Sequence, residues 1–174
     1  MSEHICAKCG RDEEWGGCCL GSEVAVTSGD IERVAAYVGS YDFYERKGIA
    51  EHLRARYSNP DYVPDGDHHW VRIVFDREGK RPVLRHHPDG YCIFLENGKG
   101  CRLPMDVRPL YCRIYPFDFN AEGITGLVKN GCPAHLLPEG RTLLDALEMD
   151  EATGESWRNQ MYREFEEDYR KREM

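Results

Sequence analysis

The chain has 174 residues, with 41% hydrophobic residues and a formal charge of -8, from 23 Lys and Arg against 31 Asp and Glu. Its length suits one domain with a core, and its acidity argues against a nucleic-acid binder or a protein with acidic partners, which would need a basic face. The start "MSEHICAKCG" shows no secretory signal, and no run of eighteen apolar residues predicts a membrane span.

The first third of the chain predicts a short strand and two helices. Val24 and Val26 are typical of a strand, and a helix should begin at the N-cap Ser28 and stop at Gly39. A second helix is predicted over Tyr41 to Tyr57. Residues 58–67, "SNPDYVPDGD", contain two Pro and one Gly and predict a loop.

The middle of the chain predicts short antiparallel strands. In "WVRIVFDREGKRPVLRHH" the alternation indicates a strand from Trp70 or Val71 to Phe75, a turn, and a return strand from Arg81 to His86. "YCIFL" and "FDFN" are typical of further strands, and "ENGKG" and "NAEGI" of turns. The fold class predicted is α+β: a small domain stapled by metal, with short antiparallel strands and several helices.

The segment after residue 141 differs in composition. Thr142 and Asp145 have the spacing of a capping box, which predicts a short helix. A longer C-terminal amphipathic helix is predicted from a stripe at every fourth residue: Trp157, Met161, Phe165 and Tyr169. We interpret 1–140 as a cysteine-cluster metal-binding domain and 141–174 as a helical extension packing on it. The alternative is that the stripe binds a protein partner.

Eight cysteines dominate the chemistry of the sequence: Cys6, Cys9, Cys18, Cys19, Cys92, Cys101, Cys112 and Cys132. In a reducing, cytoplasmic compartment thiols stay free, so metal ligation explains them better than disulfides do. Cys6-x2-Cys9 is a chelating turn. The neighbours Cys18 and Cys19 serve one centre only if the backbone bends sharply, because their side chains otherwise diverge.

The other candidate residues are arginines and histidines. Arg102, Arg108 and Arg113 lie within a few residues of a cysteine and would offset the negative charge of thiolates, or would pair with surface carboxylates instead. His135 has a spacing to Cys132 that suits a shared zinc, and the pairs at 68–69 and 86–87 would form a second site; the favoured interpretation is that these histidines are surface residues.

The opening cysteines, "GDIERVA", "CIFLENGKGC", "RPLYCRIYPF" and the late "GCP" resemble the cysteine-cluster family of zinc- or iron-chelating proteins, known by its CxxCxxCC signature. The resemblance covers Cys6 to about Cys132, and all eight cysteines fall on family positions. It implies a metal as the bound partner, and it extends to flagellin lysine methylases. This chain departs from the signature, because "GRDEEWGG" puts eight residues between Cys9 and Cys18 where the family has two.

Three functions therefore compete. The protein is a cytoplasmic metal-binding protein, a metal-dependent enzyme related to the methylases, or an adaptor with a structural zinc. No glycine-rich loop after a strand predicts a site for S-adenosylmethionine, which counts against the enzyme. We expect a metal-binding protein and leave catalysis open, with no membrane and no nucleic acid among its partners.

The sequence also predicts how the ligands group and what they bind. Cysteines 6, 9, 18 and 19 should surround one centre, and cysteines 92, 101, 112 and 132 another, because zinc and iron–sulfur centres both prefer four sulfurs. The rival arrangement moves Cys18 or Cys19 into the later set. Singly placed cysteines favour an iron–sulfur cluster, with [4Fe–4S] as the type, over zinc, since the corners of a cluster lie farther apart than the ligands of one ion.

Overall fold

The structure is a computed structural model that describes residues 4–9, 11, 18–49, 51, 68–128, 132 and 134–174. In that part of the chain the helices are α1 (Ile5–Cys9), α2 (Ser28–Val38), α3 (His68–Val74), α4 (Leu110–Ile114), α5 (Leu143–Leu147) and α6 (Glu151–Glu173). A 3-10 helix covers Ala134–Leu136.

The strands form small antiparallel pairs, so the α+β prediction is confirmed. They are β1 (Tyr44–Gly48) with β2 (Lys80–Leu84), β3 (Leu95–Glu96) with β4 (Gly100–Cys101), and β5 (Phe117–Phe119) with β6 (Ile124–Leu127). The predicted turns join β3 to β4 and β5 to β6. Residues 24–26 run beside β2 and make a single bridge there, between Ala25 and Val83, where a strand was predicted.

Helix α2 begins one residue earlier than predicted. Its N-cap is Thr27, whose hydroxyl accepts from the N–H of Asp30, while the carboxylate of Asp30 accepts from the N–H of Thr27. The helix ends as predicted at Gly39, which has φ 75°, a backbone conformation that glycine adopts without strain. The capping box at Thr142 and Asp145 is also confirmed, at the start of α5.

The helix predicted over Tyr41 to Tyr57 is wrong for residues 44–48, because these residues form β1. The rest of that prediction from residue 52 to residue 57 lies outside the described residues, and so does the loop predicted at 58–67. The error has a physical cause. The central residues of β1 are exposed, so the strand carries no alternation of apolar residues. Backbone pairing with β2 holds it, together with ion pairs such as that of Lys47 with Glu23, 3.1 Å apart.

The strand predicted from Trp70 or Val71 to Phe75 is also wrong, because residues 68–74 form α3. Trp70, Ile73 and Val74 have the i, i+3, i+4 spacing of one helical face as well as part of a strand pattern, and Ile73 and Val74 are buried on that face. The predicted return strand exists as β2, from Lys80 to Leu84, but its partner is β1.

Among the described residues, the buried apolar side chains form two clusters that meet at α4. One cluster holds α3, α4, β5 and the inner face of α6; the other holds α2, Phe43, Leu84, Phe94 and Leu103. Tyr111 on α4 packs against both. The short helix that carries Cys112 is therefore set between the two halves of the core.

The apolar stripe of α6 packs on the protein's own core, as expected. Met161 and Phe165 are buried, and Trp157 and Tyr169 are partly buried against the same cluster. The ring of Phe165 meets Trp70 edge to face, with centroids 5.4 Å apart. The apolar side chains of this stripe therefore contact the protein's own core, and this argues against the alternative that they bind a partner protein. None of the described helices is both long and apolar enough to cross a membrane.

An ion-pair network fixes α6 against α2. The carboxylate of Glu164 accepts from both terminal nitrogens of Arg33, at 2.8 and 2.9 Å, and also from the hydroxyl of Thr27. One turn later, Asp168 accepts from the N–H of Ser28 at 2.9 Å. Hydrogen-bond donors at the start of α2 therefore find acceptors on side chains of the C-terminal helix.

We expect Gly154→Ala to destabilise the protein. A Cβ on Gly154 would lie 2.7 Å from Cδ2 and 2.8 Å from Cε2 of Phe117, a buried ring that has little room to move. Glycine to alanine in a helix otherwise gains about 1 kcal/mol. Here overpacking should instead lower the free energy of unfolding by about 1–3 kcal/mol. Urea denaturation measures the change. The exposed neighbour Ser156→Ala should be neutral or slightly stabilising, and equal behaviour of the two variants would contradict the packing argument.

We expect Glu164→Gln to lower the free energy of unfolding at neutral pH by about 1.5–3 kcal/mol, the contribution of hydrogen bonds to a charged group. Burial alone raises the pKa of Glu164, but hydrogen bonds from Arg33, Thr27 and Gln160 outweigh it and hold the pKa below its ordinary 4.5. The stabilisation is therefore complete above 4.5 and is lost as the pH falls through the lower, folded-state pKa.

The difference in unfolding free energy between wild type and Glu164→Gln should accordingly shrink in acid. Denaturation of both proteins across this pH range measures it. Glu167→Gln, on the exposed side of the same helix, is the matched control and should show almost no difference at any pH. If the difference in unfolding free energy between wild type and Glu164→Gln stayed constant down to strong acid, the stabilising role of the Glu164 charge would be contradicted.

Candidate metal centre

All eight cysteines lie within the described residues, and all eight are free thiols. They come from separate parts of the fold: α1, the turn at 18–19, the region of 92–101, α4, and the single described position 132. Cys92 is buried, Cys18 is exposed, and the others are partly buried. The pKa shifts of several thiols have neighbouring thiols among their causes, which indicates which cysteines lie in the same region of the fold.

One group contains four thiols in which every pair interacts; we call it the inner set: Cys19, Cys92, Cys101 and Cys112. Burial raises the pKa of Cys112 well above the ordinary value, and repulsion from the other three adds to it. Burial raises the pKa of Cys92 to about 12, with further contributions from Cys19 and Cys101. Cys19 also raises the pKa of Cys101.

A second group, the outer set, consists of Cys6, Cys9 and Cys132. Burial raises the pKa of Cys132 to about 12, and repulsion from Cys6 and Cys9 raises it further. The pKa of Cys6 rises to about 11, mainly through burial, with Cys9 as another cause. Cys6 also interacts with Cys19 and Cys101, so the two sets adjoin.

The vicinal cysteines are divided between these groups. A hydrogen bond from the Cys19 thiol to Cys18 is the largest cause of the raised pKa of Cys19, ahead of burial. Cys18 also interacts with Tyr115, whose pKa is raised by burial and by Cys132, Cys18 and Cys9. Cys18 thus lies between the inner set and the outer set.

The interactions between the thiols do not follow their order in the sequence, because thiols of the two halves interleave; which cysteines bind a metal together stays a prediction. The reason is a backbone pairing across seventy residues. The N–H of Cys92 donates to the carbonyl of Cys19 at 2.7 Å, and the N–H of Gly21 donates to the carbonyl of Gly90 at 2.9 Å. Cys19 joins the later cysteines, as in the rival arrangement, while Cys132 lies with Cys6 and Cys9.

The β3–β4 hairpin positions α1. A Cβ on Gly100, where φ is 89°, would lie 3.4 Å from the Cβ of Cys6, so the helix packs directly on the bare backbone. At the tip of the hairpin, the carbonyl of Gly98 accepts from Nη1 of Arg11 at 3.0 Å. This packing brings Cys6 next to the inner set.

Of the three candidate arginines, Arg108 lies among the sulfurs. Its charge lowers the pKa values of Cys6, Cys19 and Cys101, opposing the effect of burial. Its Nε donates to the carbonyl of Leu103 at 2.9 Å, which fixes the guanidinium in place. Arg108 is one of the three arginines that the sequence analysis named as candidates for offsetting thiolate charge.

The other two arginines have different roles. Arg113 is buried and donates to the carbonyls of Arg108 and Asp106, at 2.7 and 2.6 Å, so it shapes the loop that presents Arg108. Arg102 lies over the ring of Phe94, with its guanidinium carbon 5.2 Å from the centroid. Neither was distinguished from Arg108 by the sequence.

The histidines do not share one hairpin, because the predicted hairpin does not form. His69 contacts Oε1 of Glu166 on α6 at 2.9 Å and stacks on Tyr162. His86 pairs with Cys92 through the backbone, and His135 is exposed in the 3-10 helix. Among the described residues, no three His, Cys, Asp or Glu side chains are arranged as the ligands of one ion.

Two residues of the site were missed at the sequence level. Tyr115 contributes a hydrogen bond that lowers the pKa of Cys132, and Asp30 accepts from the N–H of Leu110 at 3.0 Å and so holds the first residue of the helix that bears Cys112. Both residues stand inside the motifs that carry the family resemblance, "RPLYCRIYPF" and "GDIERVA". The motifs marked them without indicating their roles.

Comparison with known proteins found no matching family model, no matching curated protein and no matching solved structure. The resemblance to the cysteine-cluster family therefore stays a prediction.

We expect Arg108→Gln to make the thiols of the metal-free protein less acidic, because the guanidinium lowers the pKa values of Cys6, Cys19 and Cys101. The onset of thiolate absorbance in an anaerobic pH titration should move to higher pH. Arg102→Gln removes an equal charge at the Phe94 ring and is the control, with little expected change. Identical titrations of the two variants would contradict the placement of Arg108 among the thiols.

Proposed function

We propose that the protein binds metal through its cysteines in a reducing compartment such as the cytoplasm, with an iron–sulfur cluster as the bound group and zinc as the rival. The observation that carries this proposal is that thiols from separate parts of the fold interact with one another, and that the charge of Arg108 acts on three of them, Cys6, Cys19 and Cys101.

A purely structural use of the cysteines explains this arrangement less well. Buried cysteines that only fill space behave as small apolar side chains. Most of these are partly exposed, they lie beside a cation, and they repel one another as soon as they ionise. A bound cation or cluster reverses that repulsion, because a coordinating thiol gives up its proton.

The donor set fits either metal. Four thiolates complete the shell of a zinc ion, and four also complete a [4Fe–4S] cluster, which would supply one-electron chemistry. Both assemblies carry net negative charge, which the guanidinium of Arg108 would offset. Since no three of the described side chains already surround one point, their sulfurs must turn inward on binding.

The distribution of the thiols favours a cluster. Structural zinc with four cysteines commonly uses two CxxC turns. Here each inner ligand stands alone on its own segment: Cys19 after α1, Cys92 before β3, Cys101 in β4 and Cys112 in α4. Ligands on independent segments suit a cluster, whose corners lie farther apart than the ligands of one ion.

Anaerobic purification, followed by metal analysis, acid-labile sulfide measurement and a visible spectrum, tests the proposal. We expect stoichiometric iron and sulfide, and Cys112→Ser should lose the metal of the inner set. His135→Ala is the matched control and should keep it. Stoichiometric zinc without acid-labile sulfide would show that the bound group is zinc and not an iron–sulfur cluster. Protein that holds no metal, and takes up none when iron or zinc is supplied anaerobically, would refute metal binding.

A further inference from the structure

A groove lies where α3 meets the C-terminal end of α6 and the turn that leads into β2. It encloses about 700 Å³, a volume typical of sites that hold a small molecule. Its apolar lining comprises the side chains of Ile49, Val71, Phe75 and Tyr169, which belong to or pack against the core cluster of α3 and α6. Of the described residues that line the groove, none is a cysteine, so this site is separate from the candidate metal centre.

The polar lining of the groove is rich in arginine. Four arginines stand there against three carboxylates, in a chain whose formal charge is -8: Arg46, Arg72, Arg77 and Arg172, with Asp76, Glu78 and Glu173. The overall charge argues against acidic partners, but the charge of this groove favours an anionic ligand.

The three carboxylates of the groove already have cationic partners: Asp76 with Arg46, Glu173 with Arg77, and Glu78 with Lys80. The positive charges that remain in the groove are therefore those of the other two arginines, Arg72 and Arg172.

Arg72 and Arg172 are held in place by neutral groups. The guanidinium carbon of Arg72 lies 5.7 Å from the ring centroid of Tyr169, and its Nη2 lies 3.2 Å from Nδ1 of His69. Arg172 donates from Nη2 to the carbonyl of Ile73 at 2.6 Å. Tyr169 and Arg172 are one turn apart on α6, so both cations lie where the ends of α3 and α6 meet.

These two side chains retain the means to bind an anion. A guanidinium has five N–H donors in a planar fork that matches the oxygens of a carboxylate or a phosphate. The hydrogen bonds just described use one nitrogen of each side chain, and both side chains are exposed. The charges and the other donors can therefore hold an oxyanion, while the ring of Tyr169 and the side chain of Val71 cover an apolar body.

We propose that this groove binds a small organic anion: its carboxylate or phosphate group lies between Arg72 and Arg172, and its apolar body packs on Val71, Phe75 and Tyr169. The site needs neither a metal nor a cysteine, so the inference goes beyond the proposed metal binding and does not rest on it.

Isothermal titration calorimetry of the full chain with phenyl phosphate, and separately with phenylacetate, tests the inference. We expect saturable binding that weakens as salt is added, because the charges of the groove are exposed. The two probes show whether the groove prefers a phosphate or a carboxylate. Inorganic phosphate, which lacks the apolar body, and benzyl alcohol, which lacks the charge, should each bind at least about tenfold more weakly.

Arg72→Gln and Arg172→Gln should each weaken binding of the aromatic anions about tenfold, the loss expected when one hydrogen-bonded charge is removed. Arg163→Gln removes the same charge from an exposed position of α6 outside the groove and is the matched control, with little expected change. Thermal unfolding of each variant shows that it is folded. If Arg172→Gln fails to fold, Arg72→Gln decides, because its side chain is exposed.

Three results would overturn the inference. The first is no saturable binding of either aromatic anion. The second is binding that Arg72→Gln and Arg172→Gln weaken no more than Arg163→Gln does, since the anion would then bind elsewhere. The third is inorganic phosphate that binds as tightly as phenyl phosphate, since the apolar lining would then contribute nothing. Metal analysis of the same samples tests the proposed function separately.

Discussion

The buried carboxylate of Asp30 joins the parts of the molecule on which the candidate centre depends. It caps the start of α2, accepts from the N–H of Leu110 at the start of α4, and pairs with Arg33 at 2.7 Å. Arg33 then reaches Glu164 on α6. One fully buried acidic residue thus connects three helices, and the one that bears Cys112 can move only if this network breaks.

Such a network has a cost as well as a gain. Burial raises the pKa of Asp30 even though hydrogen bonds from Arg33, Thr27 and Leu110 act in the opposite direction. A charge held away from water stabilises little in net terms, because desolvation offsets much of its attraction to a partner. What it supplies is a fixed geometry. Each of these residues contacts members on other elements, so the positions of α2, α4 and α6 are coupled.

Sequence reasoning identified features that depend on local chemistry. The capping box at Thr142, the stop at Gly39, the tight turns and the stripe of α6 each follow from a few neighbouring residues, and the structure contains all of them. Sequence reasoning failed where the secondary structure of a segment depends on residues far away in the chain. The residues of β1 form a strand only because β2 lies beside them, and α3 presents apolar residues whose spacing suits a strand as well as a helix.

The candidate centre shows the same limit. The number and type of candidate ligands can be read from the sequence, since thiols, neighbouring arginines and glycine turns are local features. Their grouping cannot, because it depends on where the chain returns to itself. The bridge of Leu20 with Tyr91 brings Cys19 beside Cys92, and the absence of a side chain at Gly100 lets α1 pack beside β4. Cys19 is therefore held against Cys92, while its neighbour Cys18 stands at the surface outside the inner set.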